Sequence, residues 1–410
     1  MRIPDSQLPK SVSVRTIGHM SAHVSGGPVS WVRAASRVAS DTASGTTSGA
    51  PSRTDSGSSS GAPTATLARL SDAHGRVARD LRVSVTDRCN LRCTYCMPAE
   101  GMDWIPGRDL LTDDEIIRLI TLGVERLGIR EVRFTGGEPL LRPGLADLIA
   151  ATKALRTDEG RVPDTALTTN GILLEAQATR LADAGLDRVN VSLDSIRPAT
   201  YGLLARRDRL DDVLRGLDAA DAAGFTPIKI NTVLMPVHNH DQAVELLHFC
   251  LERGYQLRFI EEMPLGPKGQ WLRDSMITAD RILADLGEEF DLSPSAKPRG
   301  DAPAALWDVA AGVGKRTGTA HRGGEVGVIA SVTRPFCGAC DRTRLTSDGA
   351  IRNCLFSRTE RPLRDLIRDG AGDDELAAAW VGEMAAKRPG HGMEDPSFLQ
   401  PDRGMSAIGG

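Results

Sequence analysis

From Leu81 onward the apolar residues fall into short runs with a period near two, and between those runs they recur every three or four positions. The runs are "LRVSV", "EVRFT", "DTALTT", "RVNVSL", "PIKINTVL" and "QLRFIEE". Between them lie stretches such as "TDDEIIRLITLGVERLG", "EAQATRLADAGL" and "DDVLRGLDAADAAG". Period two marks strands and period 3.6 marks amphipathic helices. Their alternation predicts right-handed βαβ units around a parallel sheet. Six such units are too few for a closed eight-stranded barrel, which leaves an open barrel or a doubly wound sheet. In "IKINTV" the single cation Lys229 falls on the face opposite its apolar neighbours, and in a barrel that face is the interior.

The unusual residues separate the two architectures. A cysteine loop follows the first run, "GGEP" the second, "TNG" ends the third, "SLDS" the fourth and "EMP" follows the sixth. A barrel builds its site from the carboxyl ends of many strands, whereas a doubly wound sheet concentrates it at one switch point. The expectation is therefore a partial (βα) barrel over residues 76–290. After "DLSPSAKPRGDAPAA" the pattern becomes glycine-rich, so residues 291–410 are expected to form a smaller C-terminal domain with a Gly-Gly tail. Residues 1–68 are dominated by Ser, Gly, Thr, Ala and Pro without either period, and are expected to be disordered. Their early basic residues, Arg2, Lys10, Arg15, Arg33 and Arg37 against Asp5, also suit an organelle transit peptide.

Composition narrows the function classes. The 410-residue chain carries a formal charge of -4, which gives no general attraction to nucleic acid or anionic membrane. No apolar run reaches the roughly 18 to 20 residues of a membrane helix. The seven cysteines are odd in number and six of them form two triplets, an arrangement of metal or redox chemistry in a reducing, cytoplasmic setting. Cys250, within the helical pattern "VELLHFCLERG", is expected in the core.

Cys89, Cys93 and Cys96 stand as C-x3-C-x2-C in "SVTDRCNLRCTYCMP". A [4Fe–4S] cluster usually takes four thiolates, so three leave one iron open, and an open position marks a catalytic metal. A structural zinc site would need a histidine, and none lies between His74 and His238. The second triplet, Cys337, Cys340 and Cys354 in "FCGACDRTRLTSDGAIRNC", repeats the deficit. Its zinc alternative would recruit His321 or His391. Arg342 and Arg344 share a face of an extended segment beside this triplet, which suits an anionic substrate.

The first triplet, with Tyr95 before its last cysteine and "GGEP" at Gly136–Pro139, resembles the radical S-adenosylmethionine (SAM) superfamily. Further stretches, "LTTNGILL", "VNVSLDS", "KINTVL", "FIEEMPLG", the second triplet and the terminal "IGG", resemble the GTP 3',8-cyclase family that opens molybdenum cofactor biosynthesis. The resemblance runs from about residue 70 to 410. It implies an α/β partial (βα)6-type barrel of the radical SAM kind, closed by a smaller C-terminal iron–sulfur domain. It also implies two [4Fe–4S] clusters, SAM as cofactor and GTP as substrate.

Residue by residue, the resemblance assigns Cys89, Cys93 and Cys96 to the SAM-cleaving cluster, and Tyr95, Gly137, Ser192 and Met263 to SAM. It assigns Cys337, Cys340 and Cys354 to a cluster that takes guanine. Arg82, Arg133, Thr168, Lys229, Arg342, Thr343 and Arg344 are assigned to the rest of GTP. Arg403, Gly409 and Gly410 are the tail residues expected to reach the catalytic pocket. An electron donor, a downstream cyclic pyranopterin monophosphate synthase and a homodimer are the partners it implies. Glu131 departs from the pattern by standing where some relatives carry a basic residue.

Other readings remain open on the residues. A peptide-modifying radical SAM enzyme would also carry a C-terminal cluster domain, though usually with more cysteines, and a non-catalytic metal scaffold would use the same thiols. Simple GTP hydrolysis is disfavoured, because "AGVGKRT" lacks both the leading Gly and the Ser or Thr after Lys315 that a P-loop requires.

Overall fold

The computed structural model describes residues 69–395 and 397–409; the expectation for residues 1–68 lies outside the described residues, as does Gly410. Each alternating run forms a strand: β1 Asp80–Ser84, β2 Glu131–Thr135, β3 Asp164–Thr169, β4 Arg188–Ser192, β5 Lys229–Val233 and β6 Gln256–Ile260. Helices return the chain between and after them: α1 Asp113–Thr121, α2 Leu145–Ala154, α3 Leu174–Asp183, α4 Pro198–Ala205, α5 Leu210–Ala222, α6 Ala243–Arg253 and α7 Ala279–Gly287. Thr112 opens α1 by accepting from the Glu115 amide, and Glu115 accepts in return from the Thr112 amide. That reciprocal pair satisfies two otherwise orphaned helix donors.

The remaining strands are β7 Leu292–Pro294, β8 Ala305–Val309, the small hairpin β9 Gly312–Val313 with β10 Ala320–His321, β11 Gly324–Ile329, β12 Arg342–Leu345, β13 Ala350–Arg352 and β14 Arg361–Pro362. Three helices follow, α8 Arg364–Arg368, α9 Asp373–Ala385 and α10 Met405–Ile408. The large sheet has the order β14-β13-β12-β1-β2-β3-β4-β5-β6-β11-β8-β7 and does not close. Strands from β12 through β11 run parallel, so the C-terminal part of the chain adds a parallel strand at each edge of the six predicted ones. The partial barrel expected from the sequence is thus present, widened by β11 and β12.

The alternation sorts the side chains. Leu81, Val83, Val132, Phe134, Val189, Val191, Ile230, Leu257 and Phe259 are buried in the core shared with the helices. Cys250 is buried there too, as expected. Asp80, Arg82, Glu131, Arg133, Arg188, Lys229 and Arg258 take the alternate positions and face the barrel interior. Thr343 follows the outward parity: its hydroxyl accepts from the indole of Trp380 on α9 at 3.1 Å, which turns its side chain from the interior where a substrate contact was expected.

Among the described residues no helix is long and apolar enough to cross a membrane.

Candidate active site at the strand ends

A cavity of about 320 Å³ opens at the carboxyl ends of the strands and is lined by all six cysteines of the two triplets. None is in a disulfide. The first loop is held by close backbone packing. Gly137 N–H donates to the Thr86 carbonyl and Glu138 N–H to the Arg88 carbonyl, each at 2.7 Å. A Cβ on Gly137 would overlap the carbonyl oxygens of Asp87 and Arg88, so only glycine lets "GGEP" lie this close to the cysteine loop. Glu138 is buried and anchors the next strand end, accepting from Thr169 Oγ1 at 2.7 Å and the Asn170 amide at 2.8 Å. Burial pushes its carboxyl up to about 7.

Tyr95 lines the cavity, and its hydroxyl donates to Asp194 Oδ2 at 2.8 Å, while the Val233 amide donates to Asp194 Oδ1 at 2.9 Å. The ring is thereby fixed in orientation. Gly137, Ser192 and Met263 line the same cavity. The thiol of Cys96 is pushed up to about 12 by burial and by neighbouring Cys89, against which the Ser406 backbone N–H acts.

Among the described residues no three His, Cys, Asp or Glu side chains converge tightly enough on one point to hold a single metal ion. A cubane cluster makes a different demand, since each thiolate bonds its own iron and the thiols must be spread around a space. Two sets of three thiols that line one cavity without converging on a single point are compatible with that demand. His391 also lines the cavity, whereas His321 packs against His248 and Phe290 outside it.

The interior beneath the cysteines is cationic. Register places Arg82 directly beside Arg133 on one side and Arg344 on the other. Like charges on adjacent strands repel. Burial, then Arg133, brings Arg82 down to about 10; burial, then Arg82 and Arg342, brings Arg344 down to about 9. Nε of Arg82, Nε of Arg133, and both Nε and Nη2 of Arg342 are buried with no hydrogen-bond partner among the described residues. Orphaned, buried guanidinium donors match an anion with many oxygens. Thr168 lines the cavity, and Lys229 lies one inward step deeper on β5 than the lining residue Asn231.

Two interior cations escaped the sequence reading. Arg258 lines the cavity, and Arg188 pairs with Glu131 at 2.7 Å. The alternation that singled out Lys229 applies equally to "RVNVSL" and "QLRFI", so the signal was present. Glu131 also pairs with Arg133 at 2.7 Å, and thus partly balances the cations rather than merely omitting one.

The tail divides. Met405 and Ser406 line the cavity, Ile408 is buried, and the Gly409 carbonyl accepts from Arg344 Nη1. Gly409 has φ +70°, and a Cβ there would press against Thr135 Cγ2 at 2.8 Å. Arg403 does not line the cavity, contrary to expectation: Asp348 binds it at 2.8 and 3.0 Å and Glu360 at 2.6 Å. With both carboxylates satisfying its guanidinium, it fastens the tail. The P-loop-like "AGVGKRT" is likewise engaged, since the Arg316 and Thr317 amides donate to the Glu289 carboxylate at 2.8 and 3.2 Å.

Residues 83–250 match the radical SAM superfamily, and residues 255–393 match the family described as Molybdenum Cofactor Synthesis C. A GTP 3',8-cyclase from Corynebacterium glutamicum is 61% identical over 341 residues, 83% of this chain and 89% of that protein. The GTP 3',8-cyclases of Mycolicibacterium smegmatis and Streptomyces coelicolor are 58% and 57% identical, each over 83% of this chain and over 92% and 96% of their own lengths. Among solved structures, Streptococcus suis SuiB is similar in fold, with a TM-score of 0.50, 15% identity and coverage of 75% of this chain and 67% of its own.

Proposed function

The chain belongs to the GTP 3',8-cyclase family within the radical SAM superfamily, and from that premise we propose how its own residues divide the work. The reaction converts GTP to (8S)-3',8-cyclo-7,8-dihydroguanosine 5'-triphosphate, the first step of molybdenum cofactor biosynthesis, with SAM and an iron–sulfur cluster. When bound, the cluster and SAM would supply the one-electron chemistry that activates C3' of GTP for joining to C8, and the chain's own residues would hold and position both partners.

In this reading Cys89, Cys93 and Cys96 hold that cluster and leave one iron for SAM. Gly137 offers its backbone to SAM, Asp194 fixes the Tyr95 ring, and Ser192 and Met263 complete the wall. Cys337, Cys340 and Cys354 would hold a second [4Fe–4S] cluster, which when bound would serve the guanine end of GTP. Arg82, Arg133, Thr168, Lys229, Arg342 and Arg344, joined by Arg258, grip the triphosphate and sugar, which fixes C3' relative to C8. Gly409 seals the interior through Arg344, limiting entry of water. The observation that carries this reading is the row of buried, partnerless guanidinium nitrogens on Arg82, Arg133 and Arg342 beneath two incomplete thiol sets.

The division into a barrel over 76–290 and a C-terminal domain over 291–410 belongs to the same proposal. So do a cytoplasmic location, a homodimer, a low-potential electron donor and delivery of the product to a cyclic pyranopterin monophosphate synthase.

Anaerobic reconstitution tests the assignment. About eight irons per chain are expected from two cubanes, with GTP-dependent cleavage of SAM and a product isomeric with GTP. Cleavage of SAM that is indifferent to GTP would favour peptide modification, and bound zinc without cleavage a scaffold.

A pH dependence follows from Lys229. Burial, then Arg258, Arg188 and Arg133, depresses its ammonium to about 7 in the anion-free chain. The charge is therefore present below pH 7 and lost as the pH rises, so at higher pH GTP must bring a proton into the site. The KM for GTP is expected to increase between about pH 7 and 9, by at most about tenfold per unit for one linked proton. Lys229→Arg keeps its charge and is expected to flatten that rise; parallel profiles for the two enzymes would reject the role of Lys229.

A further inference from the structure

The two cysteine triplets differ in what surrounds their sulfurs. Around the first, the donors are neutral: the Leu91 amide reaches Cys89 Sγ at 3.5 Å, and the Ser406 amide serves Cys96. The nearby ionisable groups are mixed: Asp194 beside Tyr95 and Glu138 beside the loop are acidic, while Arg92 donates to the Cys89 carbonyl at 2.8 Å rather than to a sulfur. The second triplet meets a cation. Lys387, just beyond the end of α9, is 4% exposed and directs its ammonium at Cys340 Sγ at 3.3 Å.

The other contacts of that ammonium are carbonyls, Arg342 O at 2.8 Å and Cys340 O at 3.4 Å. Among the described residues no carboxylate pairs with Lys387. A buried ammonium without a carboxylate is costly unless an anion stands beside it, and the Cys340 sulfur is the group in position to be that anion. The placement is rigid. Asn353, adjacent to Cys354, donates to the Glu383 side chain at 2.7 Å and to its carbonyl at 3.0 Å, so one helix end backs two of the three cysteines.

We propose that Lys387 tunes the second cluster, its ammonium donating to the Cys340 thiolate and holding that cluster at a higher reduction potential than it would otherwise have. Reduction adds one negative charge to the cluster, and a fixed positive charge with an N–H···S hydrogen bond stabilises the reduced form more than the oxidised one. Among the described residues no charged donor reaches a sulfur of the first triplet, so the first cluster lacks this contact. The guanine-binding and SAM-cleaving clusters are thereby kept electronically unlike within one cavity. Lys387 is a positioning and tuning residue, since it touches a ligand sulfur rather than substrate.

This inference rests on the second-cluster reading above, and the test separates the two. The full-length chain carrying Cys89→Ala, Cys93→Ala and Cys96→Ala is reconstituted anaerobically, leaving only the second site, and is titrated by electron paramagnetic resonance at controlled potential. About four irons per chain are expected; an iron-free chain overturns the second-cluster reading and this inference with it. Adding Lys387→Met is expected to shift the midpoint to more negative potential, and Lys387→Arg to leave it close to that of the lysine form. Should Lys387→Met lose its iron, Lys387→Gln keeps an N–H for the sulfur without the charge, and the same negative shift is expected. An iron-loaded Met or Gln variant with an unchanged midpoint overturns the tuning role and leaves the second cluster standing.

Discussion

Gly137→Ala is expected to strip most iron from the first cysteine triplet and to reduce cyclisation by at least about 100-fold. The added methyl group meets the carbonyl oxygens of Asp87 and Arg88, which are backbone atoms two residues and one residue ahead of Cys89. Unlike a flexible side-chain tip, those atoms move only if the loop moves. Two 2.7 Å backbone hydrogen bonds, Gly137 to Thr86 and Glu138 to Arg88, would be stretched at the same time. A displacement near 1 Å at a reacting centre costs on the order of 100-fold, and a cluster ligand displaced that far loses its iron. Iron per chain after reconstitution and the rate of SAM cleavage measure the effect. Gly202→Ala on α4, where an added Cβ meets nothing within 4 Å, is the matched control and is expected to retain its iron. A Gly137→Ala enzyme with full iron and normal cleavage would show that the close approach is incidental.

Arg344→Met is expected to raise the KM for GTP by about 10- to 100-fold, the loss of roughly 1.5–3 kcal/mol carried by one charge-assisted hydrogen bond. The arginine sits in the buried row with Arg82 and Arg342, and its Nη1 also donates to the Gly409 carbonyl. In the proposed site one side chain would therefore serve both anion binding and tail docking. Removing Gly409 and Gly410 from the otherwise native chain is expected to depress cyclisation strongly. In the Arg344→Met background the same truncation is expected to cost much less, because the contact it removes is already gone. Additive losses in that cycle would mean that the tail acts independently of Arg344, and unchanged cyclisation on truncation alone would remove the tail from the mechanism.

Much of this was legible in the sequence because it is written locally. Six strands follow from period-two runs, and the same parity puts Lys229 inside. The thiol deficit of each triplet is a matter of counting. Parity also held the information for Arg188 and Arg258, which were passed over because a lone arginine in a strand is indistinguishable from a solvated one until the barrel is assumed. Thr343 shows the converse: it lies between two inward arginines, so alternation alone turns its side chain away, yet the family resemblance had gathered all three together. Arg403 failed for another reason. Its partners Asp348 and Glu360 are 55 and 43 residues away in sequence, and no local pattern announces them.

By itself, then, the chain's order of residues determined the parallel units, their inward charges and two sets of three thiols, since each depends on spacings within a few residues. Only the tertiary structure decided that β12 would lie beside β1 and β11 beside β6, bringing the second triplet and two arginines over the same cavity as the first. Parallel pairing between strands some 260 residues apart depends on which edges are left exposed once the six units have packed. The same assembly crowds cations from separate strands until their nitrogens lack partners among the described residues, and that shared deficit, absent from any single segment, makes the interior suited to a polyanion.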